Sequence, residues 1–251
     1  MLSRFFKMIG RTFIASCLIC LSLSTAQAQD LMIAQAANFM PAMQEILPAF
    51  EAATGIKGQA VYTSTGKLYA QIANGAPFDV FLAADQKRPD KLHAEGLASK
   101  PFIYAKGKVV LWLPRNDAQF ADWQTCINSP EIQRIAVANP ESAPYGTAAV
   151  AALNKAGLFD TVSPRIAYAQ SIAQVFQFAS SGAADAGFCA LSSTLTEQGR
   201  KGTTIPVPEA PAVIQAACIL TNAPNPDAAA KFVEFLATPE VAAIKAKYGY
   251  E

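Results

Sequence analysis

The segment of the chain that most resembles a reactive motif is Ser64-Thr65-Gly66-Lys67, in which a serine precedes a lysine by three residues. This S-x-x-K spacing is that of acylating serine enzymes, which also carry a Ser-x-Asn or Tyr-x-Asn triplet and a Lys-Thr-Gly triplet. The chain contains neither triplet. It is not a phosphate-binding P-loop either, because Val61 stands at the first glycine position and Leu68 follows the lysine. An acylating enzyme is therefore an alternative that rests on this motif alone.

Other residue types that catalyse reactions are sparse. His93 is the only histidine, and no G-x-S-x-G motif accompanies it, so a Ser-His-Asp hydrolase is not predicted. We interpret it as a surface side chain in a polar helical stretch. Asp79 and Asp85 flank one predicted strand, and their spacing along it is roughly 20 Å, too far for paired acid–base catalysis. The sequence predicts a protein that is not an enzyme and that has no direct metal ligands.

Four predicted strand-to-helix junctions carry small or hydroxyl-bearing residues where a helix is expected to begin. They are Ala37-Asn38, Ser64-Thr65-Gly66, Tyr145-Gly146-Thr147 and Ser171-Ile172. The first turn of a helix leaves backbone N–H groups unpaired, and the helix dipole adds partial positive charge there. If such ends converge at the carboxyl edge of a sheet, they form an anion site without lysine or arginine. Ordinary helix capping explains each junction taken singly, so the anion site depends on convergence.

The elements that must position these junctions follow from the alternation of short apolar runs with helical patterns. Strands are expected at residues 31–36, 60–62, 79–82, 108–113, 134–137, 166–169, 186–190 and 214–220. Helices are expected between them, the first with Asn38 as its cap, Pro41 in its first turn and Gly55 at its end. This order predicts an α/β fold with mostly parallel, doubly wound sheets.

Composition and charge exclude several classes of protein. Apolar residues make up 52% of the 251 residues and charged residues 16%, which excludes a disordered chain. Beyond the N-terminus the sequence has no apolar run long enough for a membrane-spanning helix. The net charge is +1, but residues 1–28 contribute three basic residues and no acid. The remainder is weakly acidic, so nucleic acid is not an expected partner.

The first 28 residues have the pattern of a secretory signal peptide. A basic start precedes an apolar stretch, and Ala26-Gln27-Ala28 is a small-x-small cleavage site, so we place the cut after Ala28. Lipidation at Cys17 is the alternative, but it would divide the apolar stretch. Cys126, Cys189 and Cys218 remain after cleavage and match no zinc spacing. Burial in the core is the simplest interpretation of Cys189 and Cys218, with a disulfide between them as the alternative.

Several motifs are found together along nearly all of the mature chain. They are residues 33–39 (IAQAANF), 64–72 (STGKLYAQI), 74–85 (NGAPFDVFLAAD), 138–146 (ANPESAPYG), 235–240 (FLATPE) and 248–250 (YGY). In this combination the chain resembles the periplasmic molybdate-binding proteins of ABC transporters, a family of type II periplasmic binding proteins. The resemblance implies two doubly wound α/β lobes joined by crossover strands, with residues 30–110 and 215–251 in lobe one and 111–214 in lobe two. The lobes would close over one tetrahedral oxyanion.

Carried over position by position, the resemblance implies a ligand-binding set drawn from all four junctions. It consists of Ala37, Asn38, Ser64, Thr65, Tyr145 and Ile172, the last two through their backbone N–H groups. Some members have a serine at the first junction, and many have a tyrosine after the strand that ends here at Ala190. Since Ala190 has no hydroxyl, this chain resembles the branch that uses Asn38.

The function implied is that of a periplasmic protein that captures molybdate, and tungstate with it, and delivers the anion to a membrane permease. The alternatives are the same architecture with another oxyanion such as sulfate, or with a small organic anion. The organic anion is less favoured because no arginine stands at the four junctions. We expect a monomer that needs no cofactor.

Overall fold

The fold is described from a computed structural model over residues 30–117 and 119–251. The predicted signal peptide of residues 1–28, its cleavage after Ala28 and the alternative lipidation site Cys17 lie outside these residues. Within the described residues, no helix has the length and apolar character needed to cross a membrane.

Strands and helices alternate as the sequence predicts. The strands are Leu31–Ala36 (β1), Gly58–Thr63 (β2), Val80–Leu82 (β3), Phe102–Gly107 (β4), Val109–Leu113 (β5), Ile135–Ala138 (β6), Ile166–Ala169 (β7), Ala186–Ala190 (β8), Thr203–Pro206 (β9) and Val213–Ile219 (β10). The helices are Met40–Thr54 (α1), Thr65–Ala73 (α2), Lys87–Ala94 (α3), Trp123–Asn128 (α4), Pro144–Lys155 (α5), Phe159–Val162 (α6), Ile172–Ser180 (α7), Leu191–Thr194 (α8), Pro226–Leu236 (α9) and Pro239–Lys247 (α10). All eight predicted strands are present, whereas β4 and β9 were not predicted.

The strands form two five-stranded sheets of matching topology. The first sheet has the order β2-β1-β3-β10-β4 and the second has the order β7-β6-β8-β5-β9. In each sheet the first three strands are parallel, and the fourth is antiparallel to both of its neighbours. The prediction of mostly parallel sheets is therefore wrong for half of the pairings, although the α/β class is confirmed.

The chain passes between the two sheets at two crossovers. β4 of the first sheet leads through Lys108 directly into β5 of the second, and β9 of the second leads into β10 of the first. The strand that follows each crossover, β5 or β10, runs antiparallel to both of its neighbours. The predicted lobe boundaries near residues 110 and 215 remain a prediction, but both lie close to these crossovers.

Each sheet has its own apolar core. Phe39, Phe50 and Phe232 are fully buried beside the first sheet, whereas Trp112, Trp123 and Phe188 are fully buried beside the second. A few residues at the ends of strands in the first sheet, among them Ala36, also pack in this second core, so the two halves are in apolar contact beside the cavity.

The three cysteines of the described residues are all free and buried. Cys189 lies on β8 of the second sheet and Cys218 on β10 of the first, so the alternative of a disulfide between them is wrong. Burial raises the pKa of the Cys126 and Cys218 thiols to about 12, which makes both thiols poor nucleophiles.

Asp79 is a fully buried carboxylate that ties three segments of the first sheet together. One carboxylate oxygen accepts from the backbone N–H of Met32 at 2.7 Å, and the other accepts from that of Asn225 at 2.6 Å. The residue is therefore structural, because both oxygens are satisfied by backbone donors of β1 and of the loop before α9.

Replacing Asp79 by alanine would leave both N–H groups without their acceptor. We expect Asp79→Ala to lower the free energy of unfolding by about 3 kcal/mol, since a hydrogen bond to a charged group contributes about 1.5–3 kcal/mol. Urea unfolding followed by circular dichroism measures this change. The control is Asp160→Ala at an exposed position, where the change should stay within about 0.5 kcal/mol. Equal effects of the two variants would contradict the structural role.

Candidate functional site

A small cavity lies between the two sheets, at the ends of their parallel strands. It is lined by Ala36, Ala37, Asn38, Thr63, Ser64, Thr65, Ala84, Ala143, Pro144, Tyr145 and Ile172. All six residues of the predicted ligand set are in this lining. It is far smaller than the pockets of about 300–1,000 Å³ that hold drug-sized ligands, so only a small guest fits it.

Four helix beginnings meet at the cavity, two from each half of the molecule. A 3-10 turn at Ala37–Phe39 follows β1 and leads into α1, and α2 begins directly after β2. From the second sheet, α5 begins after β6 and α7 begins after β7. The convergence on which the predicted anion site depends is therefore present, with the positive ends of the helix dipoles directed to one place.

The α2 junction presents two hydroxyl groups at the cavity. Ser64 is the N-cap residue of α2, yet its hydroxyl caps no backbone group and has no hydrogen-bond partner within the described residues. The Thr65 hydroxyl accepts from the backbone N–H of Ala84 at 3.0 Å, which leaves its own proton available. Both side chains are buried, so each offers a neutral donor to a ligand in the cavity.

The α5 and α7 junctions contribute through the backbone. Pro144 occupies the first turn of α5, and Tyr145 follows it, where a helix N–H has no partner within the helix. At α7 the cap is Ser171, whose hydroxyl accepts from the backbone N–H of Gln174 at 3.3 Å. Ile172 directly follows this cap, so its N–H is also without a partner inside the helix.

The first junction differs from the prediction in its local structure. Asn38 does not cap α1: it lies inside the 3-10 turn, and α1 begins at Met40 with Phe39 as its N-cap. The Asn38 side chain instead turns into a buried polar cluster, where its Nδ2 donates to Gln215 Oε1 at 2.7 Å and to Tyr250 Oη at 3.1 Å. The expectation of Asn38 as a capping residue is wrong because tertiary hydrogen bonds use its amide.

The cavity lining carries no ionisable acid or base apart from the phenol of Tyr145, among the residues that the structure describes. Burial raises the pKa of that phenol well above its usual range, so it stays neutral at physiological pH. Within the same residues there is no group of three or more histidine, cysteine, aspartate or glutamate side chains that could hold a metal ion. The arrangement is suited to an anion held by neutral donors.

The two halves touch each other beside the cavity. The backbone N–H of Gly66 on α2 donates to the Ser142 carbonyl at 2.8 Å, and Arg88 Nη2 donates to the Glu141 carbonyl at 2.8 Å. Lys67 Nζ also donates to Gln170 Oε1. A Cβ at Gly66 would lie 2.9 Å from the Ser142 Cα, so a side chain there would hold the two halves apart.

The residues whose types could support catalysis form hydrogen bonds or salt bridges within the protein. Lys67 reaches Gln170 across the cleft, and His93 is exposed with its Nδ1 at 3.0 Å from the Ala98 carbonyl. Asp85 forms a salt bridge with Arg88 and accepts from its backbone N–H at 3.0 Å. These contacts leave Ser64 without a neighbouring base, which removes the acylating mechanism.

Sequence reasoning missed the polar cluster behind Asn38. Its other members are Tyr104, Ser192, Gln215 and Tyr250, of which Ser192 and Gln215 are almost completely inaccessible to solvent. One signal was available, because Gln215 is the only polar side chain in the strand Val213–Ile219. For Tyr250 the only signal was its place in the Tyr-Gly-Tyr ending.

Comparison with known proteins agrees with this geometry. The family model of the bacterial extracellular solute-binding proteins matches residues 31–251. The chain is 37% identical to the molybdate-binding protein ModA of Rhodobacter capsulatus over 90% of this chain and 89% of that one. It is 39% identical to ModA of Azotobacter vinelandii over 90% of this chain and 91% of that one. The solved structure of the Azotobacter vinelandii periplasmic molybdate-binding protein matches with a TM-score of 0.83 and 33% identity, covering 88% and 99% of the two chains.

These matches confirm the two-lobe fold of type II periplasmic binding proteins and the role of a solute-binding protein, not an enzyme. The chain belongs to the bacterial extracellular solute-binding proteins, in the family of the molybdate-binding proteins.

Proposed function

We propose that this protein captures molybdate, and tungstate with it, in the cavity between the two sheets and delivers the anion to the membrane permease of an ABC transporter. The observation that carries the proposal is the convergence of four helix beginnings on a small cavity without a charged side chain. The names of the relatives at 37% and 39% identity support this choice of ligand. Delivery to a permease places the protein in the periplasm, where it works as a monomer without a cofactor.

The donor set favours a tetrahedral dianion that carries no proton. Burial removes the hydration of the anion, and this cost is offset only if its oxygens receive hydrogen bonds. Each bond from a neutral donor to a charged group contributes about 1.5–3 kcal/mol, so the hydroxyls and the backbone N–H groups together can hold a dianion. Molybdate and tungstate are fully deprotonated near neutral pH. Phosphate is partly protonated there and would need an acceptor facing it.

Sulfate has the same charge and shape as molybdate, so only its smaller size can exclude it. The walls that set this size are parts of the helix beginnings, with Asn38, Thr65 and Tyr145 in the lining. The carboxylate of a small organic anion is typically bound by an arginine side chain, and the lining contains no arginine.

Capture requires that the cleft opens and closes. The oxyanion would first bind one half of the molecule, and hinge motion at the two crossovers would bring the second pair of helix beginnings onto it. The contact between Gly66 and Ser142 then forms beside the bound ligand. Docking on the permease would reverse this closure and release the anion.

Isothermal titration of the mature, ligand-free protein tests the proposal directly. Molybdate and tungstate are expected to bind with a stoichiometry of one, whereas sulfate and phosphate produce no heat of binding. Heat from sulfate alone would retain the architecture but replace the substrate. Absence of heat from all four anions would refute the proposed ligand class.

Ser64→Ala removes one hydroxyl from the cavity. We expect it to weaken molybdate binding about 10- to 150-fold, the equivalent of one hydrogen bond from a neutral donor to a charged acceptor. Because this hydroxyl has no partner in the protein, the free energy of unfolding without ligand should not fall. The matched control is Ser181→Ala at an exposed serine, which should bind as the unsubstituted protein does. A normal affinity in Ser64→Ala would remove Ser64 from the site.

The affinity for molybdate should not depend on pH between about pH 6 and pH 9, because no lining side chain titrates there. Burial raises the pKa of Tyr250 to about 12 and holds that of Tyr145 well above its usual range. Both phenols are therefore neutral in the folded protein. Their contribution to stability is complete below about pH 10, where unfolded tyrosine ionises, and is lost as the pH rises further.

Calorimetric titrations with molybdate at several pH values measure whether the affinity depends on pH. A tenfold loss of affinity between pH 6 and pH 9 would show that a group that titrates in this range takes part in binding, contrary to the neutral site.

A further inference from the structure

The C-terminal tyrosine of the Tyr-Gly-Tyr ending reaches into the centre of the molecule. Tyr250 is the second-last residue, and its side chain is only 6% exposed. Its Oη donates to the backbone carbonyl of Asn38 at 2.7 Å and accepts from the Asn38 Nδ2 at 3.1 Å. One phenol thus holds both the main chain and the side chain of a residue that lines the cavity.

A second hydroxyl reaches the same carbonyl from the other half of the protein. Ser192 Oγ donates to the Asn38 carbonyl at 2.7 Å and is almost completely inaccessible to solvent. Asn38 follows β1 of the first sheet, whereas Ser192 lies on α8, directly after β8 of the second sheet. The Asn38 carbonyl therefore bridges the two halves behind the cavity, and Tyr145 Oη of α5 lies 3.4 Å from the Asn38 Nδ2 in the same region.

The position of Tyr250 is itself fixed by the crossover between the sheets. Glu251 exchanges two backbone hydrogen bonds with Lys106 of β4, at 2.7 and 3.1 Å. The Glu251 carboxylate also forms a salt bridge of 2.7 Å with Lys108, the residue between β4 and β5. The Tyr250 ring packs against Phe39 with 4.8 Å between the ring centroids.

We propose that Tyr250 and Ser192 are positioning residues of the oxyanion site, whose hydroxyls hold Asn38 from both halves when the cleft is closed. This inference rests on the proposed function. A peptide carbonyl facing a dianion would repel it, and two donors fix the Asn38 carbonyl on the side of the polar cluster. Because Ser192 and Asn38 belong to different halves, the bridge is one of the contacts that join them in this structure, and we expect it to slow release of the ligand.

The test determines the dissociation rate and the association rate of molybdate separately. Protein loaded with ⁹⁹Mo-labelled molybdate is mixed with excess unlabelled molybdate, and the loss of label gives the dissociation rate. Calorimetry gives Kd, from which the association rate follows. The variant is Tyr250→Phe, which removes only the hydroxyl. Its matched control is Tyr248→Phe, because the Tyr248 hydroxyl donates to the Glu45 carboxylate, away from the cavity.

We expect Tyr250→Phe to release molybdate about tenfold faster, as loss of buried hydrogen bonds predicts, with its association rate within about twofold of the unsubstituted protein. Tyr248→Phe should release molybdate at the unsubstituted rate. A purely structural role would change both tyrosine variants alike or slow association, and either result would overturn the inference. Unchanged release from Tyr250→Phe would do so as well.

Ser192→Ala provides the second variant if Tyr250→Phe does not fold. It removes the donor from the other half, and we again expect release to be about tenfold faster. Unchanged release from this variant would overturn the bridge. If the unsubstituted protein binds no molybdate, the proposed function fails; if it binds molybdate and the variants release it normally, only this inference fails.

Discussion

Under the proposed function, the constraint on which the architecture depends is that an anion must be held in a cavity without a countercharge. Desolvation of a buried charge has to be offset by hydrogen bonds, and the first turns of helices supply N–H groups that are otherwise unpaired. No single helix has enough of them, so several beginnings must meet at one point. Two sheets whose parallel strands end at the same cleft achieve this, with the α1 and α2 beginnings on one side and the α5 and α7 beginnings on the other.

Under the same proposal the site between the two halves must open, and we expect the opening to take place at the crossovers. Only the β4–β5 and β9–β10 connections join the sheets along the described chain, and each half has its own apolar core. The C-terminal residues pair with the first of these connections through Glu251 and Lys106. Hydrogen bonds of Tyr250 and Glu251 consequently connect Asn38 with the β4–β5 crossover.

Local sequence patterns were sufficient for much of the fold. The apolar runs predicted eight strands, and Pro41 and Gly55 marked the first turn and the end of α1, where Gly55 has a φ of 72°. The six predicted site residues line one cavity because each junction follows a strand that ends at the cleft. Their contact with an anion remains a proposal.

The features that the sequence did not predict depend on distant parts of the chain. Asn38 was expected as a helix cap, but its carbonyl partners Ser192 and Tyr250 lie 154 and 212 residues away in sequence. Local helix propensity does not include such distant partners. Here they determine the hydrogen bonds that the backbone carbonyl and the side chain of Asn38 make. The sequence also did not predict that β10 is antiparallel to its neighbours. An apolar run such as residues 213–219 is compatible with either strand direction, and the path of the β9–β10 connection determines which one forms.

The central claim is that neutral helix beginnings from both halves hold the oxyanion. A crystal structure of the mature protein grown with molybdate, with diffraction data collected at the molybdenum absorption edge, tests it most directly. We expect one anomalous peak in the cavity, with oxygens within hydrogen-bonding distance of the Ser64 and Thr65 hydroxyls and of the Tyr145 and Ile172 N–H groups. A peak at the exposed lysines of α2 and α3, with an empty cavity, would contradict the claim.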